Sequence, residues 1–80
     1  MPTVLRVGRY RFFFFSREAQ EPPHIHVEAG DQYAKYWLQP VVLAASYGFR
    51  ARELKELQKL VEENLSFFRR RWDEYFGNQV

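Results

Sequence analysis

The sequence predicts an α+β domain in which a small antiparallel sheet of three to five strands is covered by one long C-terminal amphipathic helix. Three observations predict it. The first half of the chain is a series of β-branched and aromatic segments separated by glycine- and proline-bearing turns, the second half repeats apolar residues every third or fourth position, and 80 residues is the length of one domain, here residues 1–80. A chain this short hides only about 60 to 65% of the surface its unfolded form exposes, so large side chains carry its stability. Eight Phe, five Tyr and two Trp supply them, each fully buried Phe being worth roughly 1.5 to 3 kcal/mol.

The sheet is expected over about residues 3–46. Thr3 to Val7 and Tyr10 to Ser16 read as two strands of a hairpin, with Gly8-Arg9 between them and glycine supplying a positive φ. Ser16 to Pro23 is polar and ends in two prolines, which cannot donate to a ladder and push the preceding residue to extended geometry, so it reads as a loop entering a strand. His24 to Ala29 is the third strand, Gly30-Asp31-Gln32 turns the chain, and Tyr33 to Leu38 is the fourth. Pro40 to Ser46 is apolar and fits either a fifth strand or a crossing of the sheet's edge.

From about Ala51 to Phe76 the apolar positions Leu54, Leu57, Val61, Leu65, Phe68, Trp72 and Tyr75 step by three or four, which is one face of a helix. Phe49 lies five positions before Leu54, the spacing of a hydrophobic staple with Arg50 as N-cap, and Glu53 occupies the second place of a capping box. Arginine is a poor cap because it has no acceptor for the exposed amides. Gly77 suits the left-handed position after the helix.

The chain has no cysteine, which excludes disulfides and thiolate metal cages and fits a reducing cytosol. The apolar run Phe12 to Phe15 is far shorter than the roughly 20 residues of a membrane span, and no signal-peptide core precedes it, so a cytoplasmic protein without membrane insertion is expected. The net charge is +2, but its layout is uneven: residues 1–17 hold four arginines and no acid, and residues 18–31 hold four acids and no Lys or Arg. This is a modest basic bias, weaker than a nucleic-acid footprint.

Three stretches carry a resemblance: Met1-Pro2-Thr3-Val4-Leu5-Arg6-Val7-Gly8, Tyr10-Arg11-Phe12-Phe13-Phe14-Phe15-Ser16, and Glu21-Pro22-Pro23-His24-Ile25-His26-Val27-Glu28. With Ala34-Lys35-Tyr36-Trp37-Leu38, Gly48-Phe49, Glu53-Leu54 and Val61-Glu62-Glu63-Asn64, the chain resembles a widespread family of small bacterial domains of unknown function. The resemblance implies a member of toxin–antitoxin-like or regulatory gene pairs, acting with another small protein, and names no reaction. Members commonly carry a serine where this chain has Arg50, so the serine cap is missing here.

Side chains alternate across a strand, which puts His24, His26 and Glu28 on one face and Ile25 and Val27 on the other, beneath the helix. Two imidazoles and a carboxylate are the ligand set of a catalytic zinc or facial-triad iron site, so a divalent metal is chemically admissible. Ligands at i and i+2 of one strand lie roughly 7 Å apart, however, too far to grip one ion unless the strand bends. The pattern also resembles the first two histidines of the histidine-triad nucleotide hydrolases and transferases. Here Glu28 takes the third place, and a carboxylate repels the phosphate that family acts on. The plainest reading is an outward polar row on a half-buried strand, paired across the sheet. A recognition surface is the remaining one, with Tyr33 and Trp37 beside the imidazoles and Glu21 at the rim.

Phe13 and Phe15 cannot face the same side as Phe12 and Phe14, so this strand is apolar on both faces. Either the chain covers the second face itself, or that aromatic face is a homo-oligomer or partner contact. Arg9, Arg11 and the run Arg69-Arg70-Arg71 are the candidate nucleic-acid contacts, although short arginine runs on a helix usually sit in water.

The reading these points support is a non-enzymatic regulatory or toxin–antitoxin-like binding module that acts with a small cognate protein, nucleic acid being a second candidate partner. No cofactor is expected. The rival is a metal-dependent hydrolase or nuclease using His24, His26 and Glu28, with Glu21 or Asp31 as an extra acid.

Overall fold

A computed structural model describes residues 3–15 and 20–77. Five strands, β1 (Thr3–Val7), β2 (Tyr10–Phe13), β3 (His24–Ala29), β4 (Gln32–Leu38) and β5 (Val41–Tyr47), form one antiparallel sheet in which each strand lies beside its sequence neighbour. Two helices follow, α1 (Ala51–Glu63) and α2 (Leu65–Phe76). The fold is α+β as the patterning predicts. The first hairpin turns through Gly8 at φ 57°, and β3 and β4 turn through Gly30 at φ 59°, conformations that cost glycine little. β2 ends at Phe13, short of the expected end at Ser16, which lies outside the described residues. The apolar stretch after Pro40 is a strand: Leu38 pairs with Val41, Trp37 with Val42 and Tyr36 with Leu43.

The expected single long helix is two helices. Asn64, at φ −111° and ψ 18°, leaves the helical region and both ends α1 and begins α2. Its Nδ2 donates to the Leu60 carbonyl at 2.8 Å and its backbone N–H to the same oxygen at 3.1 Å. A short amide side chain that bonds its own preceding turn favours caps over helix interiors. The apolar period runs through Asn64 without interruption, which is why periodicity alone joins the two helices. After the break the buried face is Phe68, Trp72 and Phe76, stepping by four, and Tyr75 is 41% exposed.

At the start of α1 the Arg50 N–H donates to Glu53 Oε1 at 2.9 Å. This is one half of a capping box; a guanidinium has no acceptor for the other half. Gly77 takes φ −72° and ψ −19°, right-handed and not the left-handed cap its position suggests, with its N–H on the Asp73 carbonyl at 2.7 Å.

The core lies between the helices and one sheet face. Phe12, Ile25, Val27, Ala34, Tyr36 and Leu38 meet Leu57, Val61 and Phe68 there, all of them buried. The Phe12 and Phe68 rings are 5.3 Å apart, and the Tyr36 hydroxyl donates to the Leu54 carbonyl at 2.7 Å. Burial pushes the Tyr36 phenol up to about 12. A raised folded-state pKa gives stability that is fully present below the unfolded value of about 10 and is lost as pH rises through the folded value. Tyr36→Phe is therefore expected to cost about 1 kcal/mol near neutral pH, from the lost hydrogen bond. It should also lose less stability than the parent between about pH 10 and 12. Urea unfolding of both proteins across that range checks the two effects separately.

No helix among the described residues is long and apolar enough to cross a membrane.

Candidate functional site

The alternation of β3 places His24, His26 and Glu28 on the sheet face opposite Ile25, Val27 and Ala29, and cross-strand pairing adds neighbours to that face. His24 pairs with Trp37, His26 with Lys35 and Phe13, and Glu28 with Tyr33 and Arg11. This is the far face, away from the core the helices cover. The expected outward polar row does not form there, because His24 is 0% and His26 2% exposed.

Aromatic rings enclose both imidazoles. His26 stacks on Phe13 at 5.4 Å and on Tyr33 at 5.8 Å, and Phe15 meets it edge-on at 4.4 Å. His24 touches Trp37 at 5.6 Å, His26 at 4.9 Å and Trp72 at 5.0 Å. Trp72 belongs to α2, so that helix reaches the end of the sheet and closes over His24. The His24 Nδ1 lies 2.9 Å from the Pro22 carbonyl; a carbonyl only accepts, so this nitrogen carries the proton. The His26 Nδ1 lies 2.7 Å from the Tyr33 hydroxyl. A buried imidazole needs such partners, since an unsatisfied polar group inside costs roughly 1 to 3 kcal/mol. No buried side-chain nitrogen or oxygen among the described residues lacks one.

Among the described residues two ion pairs flank the ring cluster. Lys35 Nζ is 2.7 Å from Glu21 Oε1 and 4.5 Å from the centre of the Trp37 ring. Glu21 Oε1 is also 4.0 Å from the His24 Nδ1. On the other side Arg11 Nη1 is 2.9 Å from Glu28 Oε2, its Nε donates to Thr3 Oγ1 at 2.8 Å, and its guanidinium lies 4.6 Å from the Phe13 ring. Glu28 thus turns to Arg11 across the strand pair. Among the described residues no three His, Cys, Asp or Glu side chains are grouped to hold a metal ion. Asp31 is exposed in the β3–β4 turn, at the opposite end of β3 from His24.

Of the expected binding residues, Glu21, His24, His26, Tyr33 and Trp37 are joined through direct contacts, while Glu28 belongs to the Arg11 pair. Phe13, Phe15, Lys35 and Trp72 were not in that set. Lys35 shares its strand parity with Tyr33 and Trp37 and was legible on that ground. Trp72 was not, since only the turn at Asn64 and the path of α2 bring it there.

The candidate nucleic-acid arginines are dispersed over the fold. Arg9 in the first turn lies 3.4 Å from Glu53, Arg11 holds Glu28, and Arg71 lies 3.1 Å from Glu74. Arg69 and Arg70 are exposed on α2.

Four large hydrophobic side chains among the described residues are exposed: Phe15 37%, Val42 48%, Tyr47 72% and Tyr75 41%. Phe15 packs on His26, Val42 is opposite Trp37, and Tyr47 is opposite Tyr33. These three therefore lie on the far face. The second face of the aromatic strand is otherwise closed by the chain itself, with Phe13 at 2%.

No curated protein and no solved structure matches the chain. A family model matches residues 10–73, from the first residue of β2 to Asp73 in α2. That span takes in every ring around the two histidines, and by it the chain belongs to the family described as Domain of unknown function (DUF4160).

Proposed function

We propose that the domain is a non-enzymatic binding module of the regulatory, toxin–antitoxin-like kind, which holds a small partner protein on the far face of its sheet. The observation that carries this reading is the placement of Phe15, Val42 and Tyr47, three of the four exposed large hydrophobic side chains among the described residues, on the face opposite the helices. Apolar side chains gathered on one face mark a contact surface. The Lys35–Glu21 and Arg11–Glu28 pairs give that surface a polar rim, and aromatic and arginine side chains are the types that dominate binding energy. The imidazoles beneath it brace the surface rather than meet the partner. Nucleic acid is the weaker candidate partner, because Arg9, Arg11 and Arg71 each face an acid; its binding should be weak and fall steeply with salt.

Native mass spectrometry of the protein purified from its own host tests this reading. A small protein in fixed stoichiometry with the parent, weakened at least about tenfold by Phe15→Ser or Trp37→Ala in folded variants, is the expected result. About one metal per chain in the parent, absent from a His24→Gln/His26→Gln variant, would instead favour a metal-dependent hydrolase or nuclease and overturn the binding module.

A further inference from the structure

β5 is the last strand of the sheet, so its outward N–H and C=O groups face no other strand of the described chain. Such an edge is a template for another strand, and edges are usually blunted by charge, proline, shortness or bulges. The opposite edge, β1, is five residues long and carries Arg6. β5 is seven residues long, Val-Val-Leu-Ala-Ala-Ser-Tyr, with neither charge nor proline, and Ala44 to Tyr47 are all exposed.

Its one irregularity sets a register. Lys35 pairs with Ala45 and Tyr36 with Leu43, which leaves Ala44 as an extra residue. The bulge resets the alternation. Val41, Leu43 and Ser46 are opposite the core residues Leu38, Tyr36 and Ala34, whereas Val42, Ala45 and Tyr47 are opposite the far-face residues Trp37, Lys35 and Tyr33. Laid antiparallel against its own copy, the strand matches face to face in a register with the bulges at the centre. Val42 then stands opposite Tyr47 of the second copy, and Leu43 opposite Ser46.

We propose that β5 pairs antiparallel with β5 of a second copy of this chain, about a two-fold axis at the Ala44–Ala45 bulge, joining two five-stranded sheets into one. Self-pairing sets no charge against a like charge, because the strand has none. The two exposed hydrophobic side chains of β5 cover each other, and a two-fold makes that contact twice. The strand spans roughly 23 Å at about 3.3 Å per residue, a short contact beside the roughly 800 Å² per partner of a standard interface. The dimer is therefore expected to have micromolar affinity and to exchange. The proposal follows from the edge and its register; because Val42 and Tyr47 also belong to the small-partner surface, the two readings are told apart by Phe15, which packs on His26 away from β5, so that Phe15→Ser weakens capture of the small partner and leaves the dimer unchanged.

Sedimentation equilibrium of the full chain from about 1 μM to about 1 mM tests it. The expected result is a monomer–dimer equilibrium that Val42→Glu and Tyr47→Glu each weaken about tenfold. Both side chains are exposed in the monomer, so circular dichroism should show the variants folded. The double variant Val42→Lys/Tyr47→Glu sets opposite charges across both symmetric contacts and should restore the dimer. A parent that stays monomeric throughout overturns the proposal, as does a dimer indifferent to both single changes, or a double variant no better than the singles. Absent self-association, loss of a different protein with Tyr47→Glu would assign the edge to that protein and overturn the second copy.

Discussion

Replacing Phe68 by alanine is expected to remove about 3 to 5 kcal/mol of stability, the range for a buried phenyl ring whose cavity closes only in part. Phe68 is fully buried, 5.3 Å from the Phe12 ring, and belongs to the core cluster with Leu57 and Val61. A domain of this length is stable by about 4 to 12 kcal/mol, so the substitution removes from about a quarter of that margin to all of it. Leu57→Ala and Val61→Ala remove smaller volumes and should cost about 2 to 4 and 1 to 3 kcal/mol. Urea titration of the three variants decides the point. All three as stable as the parent would mean that the two helices do not close the core.

The second large effect concerns the histidines. On an outward strand face, His24→Gln/His26→Gln would preserve polarity and leave stability nearly unchanged. In the enclosed cluster it should cost about 2 to 4 kcal/mol, because two flat rings packed among aromatic rings give way to flexible amides that must find buried partners. The His24 Nδ1–H to the Pro22 carbonyl and the His26 contact with the Tyr33 hydroxyl are the bonds at stake. A shifted urea midpoint with an unchanged slope is the expected signature. A midpoint equal to the parent's would show that neither ring supports the fold.

The bounds of β3 and the face of each of its residues were legible, because alternation between short polar turns leaves one register. The burial of the same histidines was not, since it depends on Trp72 arriving from α2 and on Phe13 and Phe15 folding over His26. Asn64 was hidden for another reason: the apolar period survives the break, which shows only in its backbone angles and its side-chain bond to Leu60. The segment after Pro40 stayed ambiguous because an uncharged run without polar alternation fits a strand or a crossing equally well. Its pairing with β4 resolved it.

The nearest-neighbour order of the strands has a kinetic consequence. Each hairpin closes across a short stretch of chain, so the sheet can be assembled one strand at a time, and the entropy of loop closure grows only slowly with loop length. Even the widest gap between neighbouring strands, from Phe13 at the end of β2 to His24 at the start of β3, is short. Contacts of high sequence separation, such as Phe12 with Phe68, join α2 to the first hairpin. With its contact order dominated by adjacent elements, the domain should fold on the millisecond scale or faster, the fast side of mixed α and β proteins. The docking of α2 is the step that must wait for a distant partner.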